Sequence, residues 1–185
     1  MMSVATHLLT ADELDQFPDD GKRREIIGGE LYVSPAASGI HQDLSMHLSV
    51  LMYQSIYVPG AGRVFATPDV RFSESDQVQP DLTAIRDERL GIYRGHVVHG
   101  APDIVVEILS PSNSRYDQVE KKRIYEVGGV PEYWIIDPKL QTLTLFRLID
   151  GRYVEIGAED GVLRSTAITD FTIDPVALFA KVMPE

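Results

Sequence analysis

The chain has 185 residues, 44% apolar and 24% charged, enough for one domain with a real core and too few for two comfortable ones. It has no cysteine, which excludes disulfides, thiolate zinc sites and cysteine nucleophiles. A formal net charge of -11 argues against a protein that coats nucleic acid by bulk attraction, though not against an enzyme that holds a divalent cation in a carboxylate cluster behind a local basic rim.

The N-terminal MMSVATHLLTADELDQ lacks a basic start and a long apolar block, so it does not read as a signal peptide, and a cytoplasmic location is the default. No apolar run approaches the roughly 18 residues of a membrane span. Thr10 to Glu13 predicts a capping box opening a short helix that ends at Pro18-Asp-Asp-Gly21. Arg24 to Ser34 reads as a hairpin turning at Gly28-Gly29. Ser38 starts an amphipathic helix in which Leu44, Leu48, Leu51 and Met52 recur at helical spacing to about Tyr57. Pro59 to Gly62 breaks it.

Arg63 to Ala66 and Asp69 to Phe72 are short strands around Thr67-Pro68, and Ser73 to Gln77 is a polar loop. Gln79 to Arg86 is a strand opened by Pro80-Asp81. Asp87 to Gly100 is a charged connection. Ile104 to Leu109 is an aliphatic run suited to a strand buried on both faces. Ser110 to Ser114 is turn chemistry, with Asn113 or Ser114 as the cap of the helix that ends at Gly128-Gly129. Glu132 to Asp137 is a second buried strand. A meander follows: Thr142 to Leu148 pairs with Arg152 to Ile156 around Asp150-Gly151, and Val162 to Ser165 adds a strand. Asp174 to Val182 closes as a helix with Pro175 in its first turn. The expected fold is one mixed α/β domain over residues 1–185, a central sheet with a few helices.

Glu107 is out of place in this pattern, because ionising a carboxylate inside an apolar strand costs several kcal/mol unless a cation or donors meet it. Asp81 also lies in a strand of apolar residues. If the two strands pair, two carboxylates converge, and such a pair needs a bound cation or a shared proton. Mg²⁺ takes one or two carboxylates, water and substrate phosphate oxygens. The alternative is that each acid separately meets an arginine or caps a turn. Asp103 shares a strand face with Glu107 but lies about 13 Å away along the strand, so it reads as a residue at the strand's start. Leu109 stands where many metal-dependent nucleases carry a lysine. Asp117, Lys121, Ile124, Tyr125 and Gly128 share one helical stripe, which turns Lys121 inward and Lys122 toward solvent; an exposed Asp117–Lys121 pair fits the spacing equally well.

GVPEYWIIDP after D-x-x-x-K-x-x-x-Y, with VVEILSPS and PDL upstream and REIIGGELYVSP followed by His41-Gln42 near the start, resembles the Uma-type "putative restriction endonuclease" family of the PD-(D/E)xK nuclease superfamily. The resemblance runs from about Arg23 to Phe179. It implies a restriction-endonuclease-like α+β fold: a central mixed sheet flanked by helices, with a C-terminal meander. By the same resemblance Asp81 is the aspartate of the PD motif, Glu107 the second acid, and Lys121 the lysine that has migrated to the helix. Asp81, Glu107 and the carbonyl of Ile108 would hold Mg²⁺ or Mn²⁺, and Lys121 would position the attacking water. Glu25 matches a further acidic position beside such sites, although a hairpin-surface place is the slightly preferred reading. His41 and Gln42 either line the cleft or cap and pack the helix start. The implied reaction is metal-assisted hydrolysis of a phosphodiester in DNA, less readily RNA, by a homodimer.

His41, His47, His96 and His99 make no zinc motif, and the glycines at 60, 62, 91 and 95 make no phosphate loop, so no small organic cofactor is expected. Tyr133 and Trp134 read as core rather than base-stacking residues. Arg86, Arg89, Arg94, Arg115, Lys122 and Arg123 form either a positive rim or scattered solvated charges, the commoner outcome. The intact set at 81, 107 and 121 favours a nuclease over a non-catalytic binding or assembly module of the same fold.

Overall fold

The computed structural model describes residues 8–18, 20–110 and 117–183. It begins with α1 (Ala11–Leu14), opened by the expected capping box between Thr10 and Glu13. Strands β1 (Arg23–Ile27) and β2 (Glu30–Ser34) pair as a hairpin. Gly28 and Gly29 both take positive φ, at 58° and 79°, the left-handed pair that a two-residue hairpin turn requires. Helix α2 (Gly39–Met52) starts at the Ser38 cap and continues as a π-helical turn over Tyr53–Tyr57.

There follow β3 (Gly62–Ala66), β4 (Asp69–Ser73), β5 (Asp76–Val78), β6 (Leu82–Arg86), a 3-10 turn over Asp87–Ile92, β7 (Tyr93–Arg94), β8 (Val97–His99) and β9 (Ile104–Ile108). A π-helical turn over Asp117–Lys121 leads into α3 (Lys122–Gly128); β10 (Glu132–Asp137), β11 (Thr142–Ile149), β12 (Arg152–Ile156), β13 (Leu163–Arg164), β14 (Thr172–Ile173) and α4 (Pro175–Phe179) complete the chain. The Ser110 to Ser114 turn falls, from Pro111 onward, outside the described residues. No helix among the described residues is long and apolar enough to cross a membrane.

The central sheet has the order β12-β11-β10-β9-β6-β3. Its β9–β10 pair is parallel and its other pairs antiparallel, and strands with alternate residues in two different cores account for the unbroken apolar run around Glu107. On one face Leu82, Ala84, Val106, Trp134 and Ile136 pack against Leu44, Leu48 and Met52 of α2 and against the C-terminal segment. Each fully buried leucine, isoleucine, valine or methionine side chain among them adds about 1.5–3 kcal/mol. On the other face Ile85, Val105, Tyr133 and Ile135 pack against Ile124 and Tyr125 of α3 and against a second sheet. That sheet, ordered β2-β1-β5-β4-β8-β7, adds to the expected central one. The Ser73 to Gln77 stretch read as loop contributes β5 to it, and the Asp87 to Gly100 connection contributes β7 and β8. Tyr133 and Trp134 are both fully buried, as expected of core residues.

A Cβ on Gly128 would run into the Phe72 ring of β4, so α3 meets the second sheet where glycine allows close approach. Phe72 in turn packs on Tyr125, ring centroids 5.8 Å apart. Gly128→Ala is therefore expected to overpack this contact and destabilise the fold by about 1–3 kcal/mol, read by urea unfolding; an unchanged midpoint would mean that Phe72 moves aside without cost.

Candidate active site

The ladder between β6 and β9 pairs Leu82 with Val106, Thr83 with Val105 and Ala84 with Ile104. One further step would set Asp81 opposite Glu107, with both side chains on the same sheet face. Pro80, which has no N–H, ends the strand there. The Asp81 carboxylate instead takes over the backbone: its Oδ2 accepts the Ile108 N–H at 2.8 Å. Asp81 and Glu107 are 2% and 1% exposed, so both are buried acids that must be met.

They are met from three directions. Lys121 is 1% exposed and its Nζ lies 2.9 Å from Glu107 Oε1 and 2.8 Å from Glu25 Oε1. The inward orientation read from the helical stripe is the one observed. Tyr125 also donates to Glu107 Oε1, at 2.6 Å, while Arg23 Nη2 lies 3.8 Å from Glu107 Oε2. Burial and the Glu107 carboxylate hold the Tyr125 hydroxyl well above the usual phenol range, so it remains a donor. From β1, Arg23 Nη1 donates to Asp81 Oδ1 at 2.8 Å. From the first turn of α2, His41 Nε2 approaches Asp81 Oδ2 at 3.2 Å.

Glu25 is not on the hairpin surface, the reading slightly preferred from sequence. It is 1% exposed and accepts the Gln79 N–H at 2.7 Å. Pairing of β1 with β5, through Ile26 and Gln77, turns that face of the hairpin inward. Three carboxylates (Glu25, Asp81, Glu107) and two basic side chains (Arg23, Lys121) thus share one cluster, whose formal charge is -1 when His41 is neutral and Lys121 is protonated.

Burial alone would raise the Asp81 pKa, but the His41 hydrogen bond, the Arg23 charge and the Ile108 N–H outweigh it and hold the group at about 2, against an ordinary 3.8. Because the folded value is depressed, the stability this ion contributes is complete above about pH 4 and is lost as pH falls toward 2. It amounts to about 2 kcal/mol. Asp81→Asn is expected to flatten that part of the acid limb in urea unfolding between about pH 5 and 2; an unaltered limb would show that Asp81 does not titrate with folding.

The cluster borders an open cleft of about 630 Å³ through Arg23, His41 and Asp81, with Gln42 and Thr67 also lining it, while Glu25, Glu107 and Lys121 lie buried behind them. Of the basic residues considered as a rim, the five that are described do not line the cleft. Arg86 and Arg89 clamp the buried Asp103, at 2.9 and 2.6 Å, which fits the place of Asp103 at the start of β9. Arg94 donates to the Gly91 carbonyl, and Arg123 lies 3.7 Å from Glu120. Arg115 is outside the described residues. Lys122 is expected toward solvent, but its Nζ lies over the Phe146 ring at 3.4 Å from the centroid, and burial lowers its pKa; attraction of the ammonium to the aromatic face explains the difference.

Sequence reasoning missed Arg23 and left the roles of His41 and Tyr125 open. A signal for Arg23 was present: in a strand, residues two apart share a face, so an inward Glu25 brings Arg23 with it.

A family model described as "Uma2: Putative restriction endonuclease" matches residues 11–175. Among solved structures, the chain is similar to one described as a "putative nuclease belonging to DUF820" from Anabaena variabilis ATCC 29413. The TM-score is 0.80 at 21% identity, covering 93% of this chain and 98% of that one, a likeness of fold. No curated protein matches.

Proposed function

We propose that this chain, which belongs to the Uma2 family, is a divalent-cation-dependent nuclease that hydrolyses phosphodiester bonds of DNA. The observation that carries the reading is the convergence of Asp81, Glu107 and Lys121 beside an open cleft, where the β6–β9 ladder stops. The donor chemistry suits Mg²⁺ or Mn²⁺. Both acids offer hard oxygens, the cluster keeps a negative charge, and the Ile108 N–H already faces Asp81. A strand residue's N–H and C=O point to the same side, so the Ile108 carbonyl faces that way too.

Asp81, Glu107 and the Ile108 carbonyl are then the cation's ligands. The bound ion would polarise the phosphodiester and make its water nucleophilic near neutral pH. Lys121 and Tyr125 hold Glu107 by Oε1, and Oε2 lies 3.8 Å from Arg23. Lys121, buried between Glu25 and Glu107, further serves to position Glu107 and to offset charge that builds on the phosphate. We extend the proposal to a cytoplasmic homodimer, because cutting both strands of a duplex takes two sites.

The test is nicking of supercoiled plasmid with Mg²⁺. The wild type is expected to nick, and Glu107→Gln to lose activity by roughly a hundredfold or more. Nicking that survives both Glu107→Gln and Lys121→Ala would overturn the assignment. RNA cut faster than DNA would shift the substrate class.

A further inference from the structure

One cation of the cluster has no part in that chemistry. Arg23 Nη1 makes a hydrogen bond to Asp81, but Nη2 lies 3.8 Å from Glu107 and 3.9 Å from Glu25, beyond hydrogen-bond range. Its Nε is buried without a partner among the described residues. A guanidinium carries five N–H donors in a planar fork that fits carboxylate and phosphate, and here most of that fork is idle. Across Asp81, the Nδ1 of His41 is also buried and unpartnered. Both residues line the cleft. Buried polar atoms left without partners are rare in native folds and call for a functional reason.

Asp81 Oδ1 is held by Arg23, and Oδ2 by Ile108 and His41, so a divalent cation at Asp81 competes with the guanidinium for the same oxygens. Adding such a cation to three carboxylates and two cations makes the cluster net positive. One cation must then yield. Lys121 is sealed in, its side chain 1% exposed, whereas that of Arg23 is 22% exposed and borders the cleft. A phosphodiester in the cleft brings the matching negative charge.

We infer that Arg23 holds the carboxylates together in place of a divalent cation and, when the cation takes Asp81, turns its fork onto a phosphate oxygen of the substrate. Arg23 is then a substrate-contacting residue whose availability depends on the cation. This rests on the nuclease reading and goes beyond it by coupling cation and substrate through one side chain.

The experiment is anisotropy of a fluorescently labelled DNA duplex with and without Ca²⁺, which seeks the same hard oxygen ligands, together with calorimetric titration of Ca²⁺ alone. For the wild type, Ca²⁺ is expected to raise duplex affinity roughly tenfold or more, the scale of a charge-assisted contact. Arg23→Gln removes the contact. Arg23→Lys keeps the charge among the acids, which guards the fold, but loses the fork. In both the gain should fall below about threefold. A gain of wild-type size in Arg23→Lys overturns the inference. Ca²⁺ that binds the wild type without raising duplex affinity overturns it while leaving the cation site standing. No Ca²⁺ binding at all overturns both.

Discussion

Lys121→Met should unfold at markedly lower urea than the wild type, with a loss of about 3–5 kcal/mol, the range measured when one partner of a buried ion pair is removed. The cause is local. The ammonium sits between Glu25 and Glu107, at 2.8 and 2.9 Å, and both acids are almost fully buried. Methionine fills the volume but leaves those carboxylates facing each other, with Arg23 too distant from either for a hydrogen bond. Mn²⁺ should therefore raise the unfolding midpoint of Lys121→Met more than that of the wild type, because a cation bound only by the folded state stabilises it. Equal stability of variant and wild type would mean that the acids are protonated or hydrated, and that the lysine is not what neutralises them.

Glu132→Ala is expected to cost a similar amount, about 3–5 kcal/mol, for a reason unrelated to catalysis. Glu132 opens β10 and is fully buried. Its Oε1 accepts the Thr166 N–H at 2.7 Å, the Thr166 hydroxyl at 3.1 Å, the Ala167 N–H at 3.3 Å and Arg147 Nε at 3.4 Å. Its Oε2 accepts the Ser165 hydroxyl at 2.7 Å and Trp134 Nε1 at 3.3 Å. One carboxylate thus fastens the turn after β13 to the central sheet, and alanine orphans every one of those donors. The loss should appear in denaturant unfolding, and backbone amides from Ser165 to Ile168 should exchange faster with solvent. A loss under about 1 kcal/mol would show that water replaces the carboxylate readily.

The parts of the site that were legible are those carried by local pattern. Glu107 stands out because a strand buried on both faces is otherwise aliphatic, and Lys121 because it shares a helical stripe with Ile124 and Tyr125. Both signals lie within one strand–helix–strand unit. The parts that were not legible are long-range. Arg23 meets Asp81 across 58 residues of sequence and His41 meets it across 40, and neither side chain breaks its own local pattern. Glu25 was misplaced because its burial depends on the second sheet. That sheet is built partly from β5 and from the short β7 and β8, whose few residues leave little periodicity to read. The PD motif is intermediate: Pro80 announces the end of a ladder, but only the register shows that Asp81 falls opposite Glu107.

The claim on which the functional reading depends is that Asp81 and Glu107 share one divalent cation. The most direct measurement is an anomalous difference map from crystals of the protein soaked in Mn²⁺. The expected result is a single strong peak within coordination distance, about 2.0–2.3 Å, of Asp81, Glu107 and the Ile108 carbonyl, with Arg23 turned into the cleft. A map with no peak between the two acids at saturating Mn²⁺, with Arg23 still on Asp81, would contradict it.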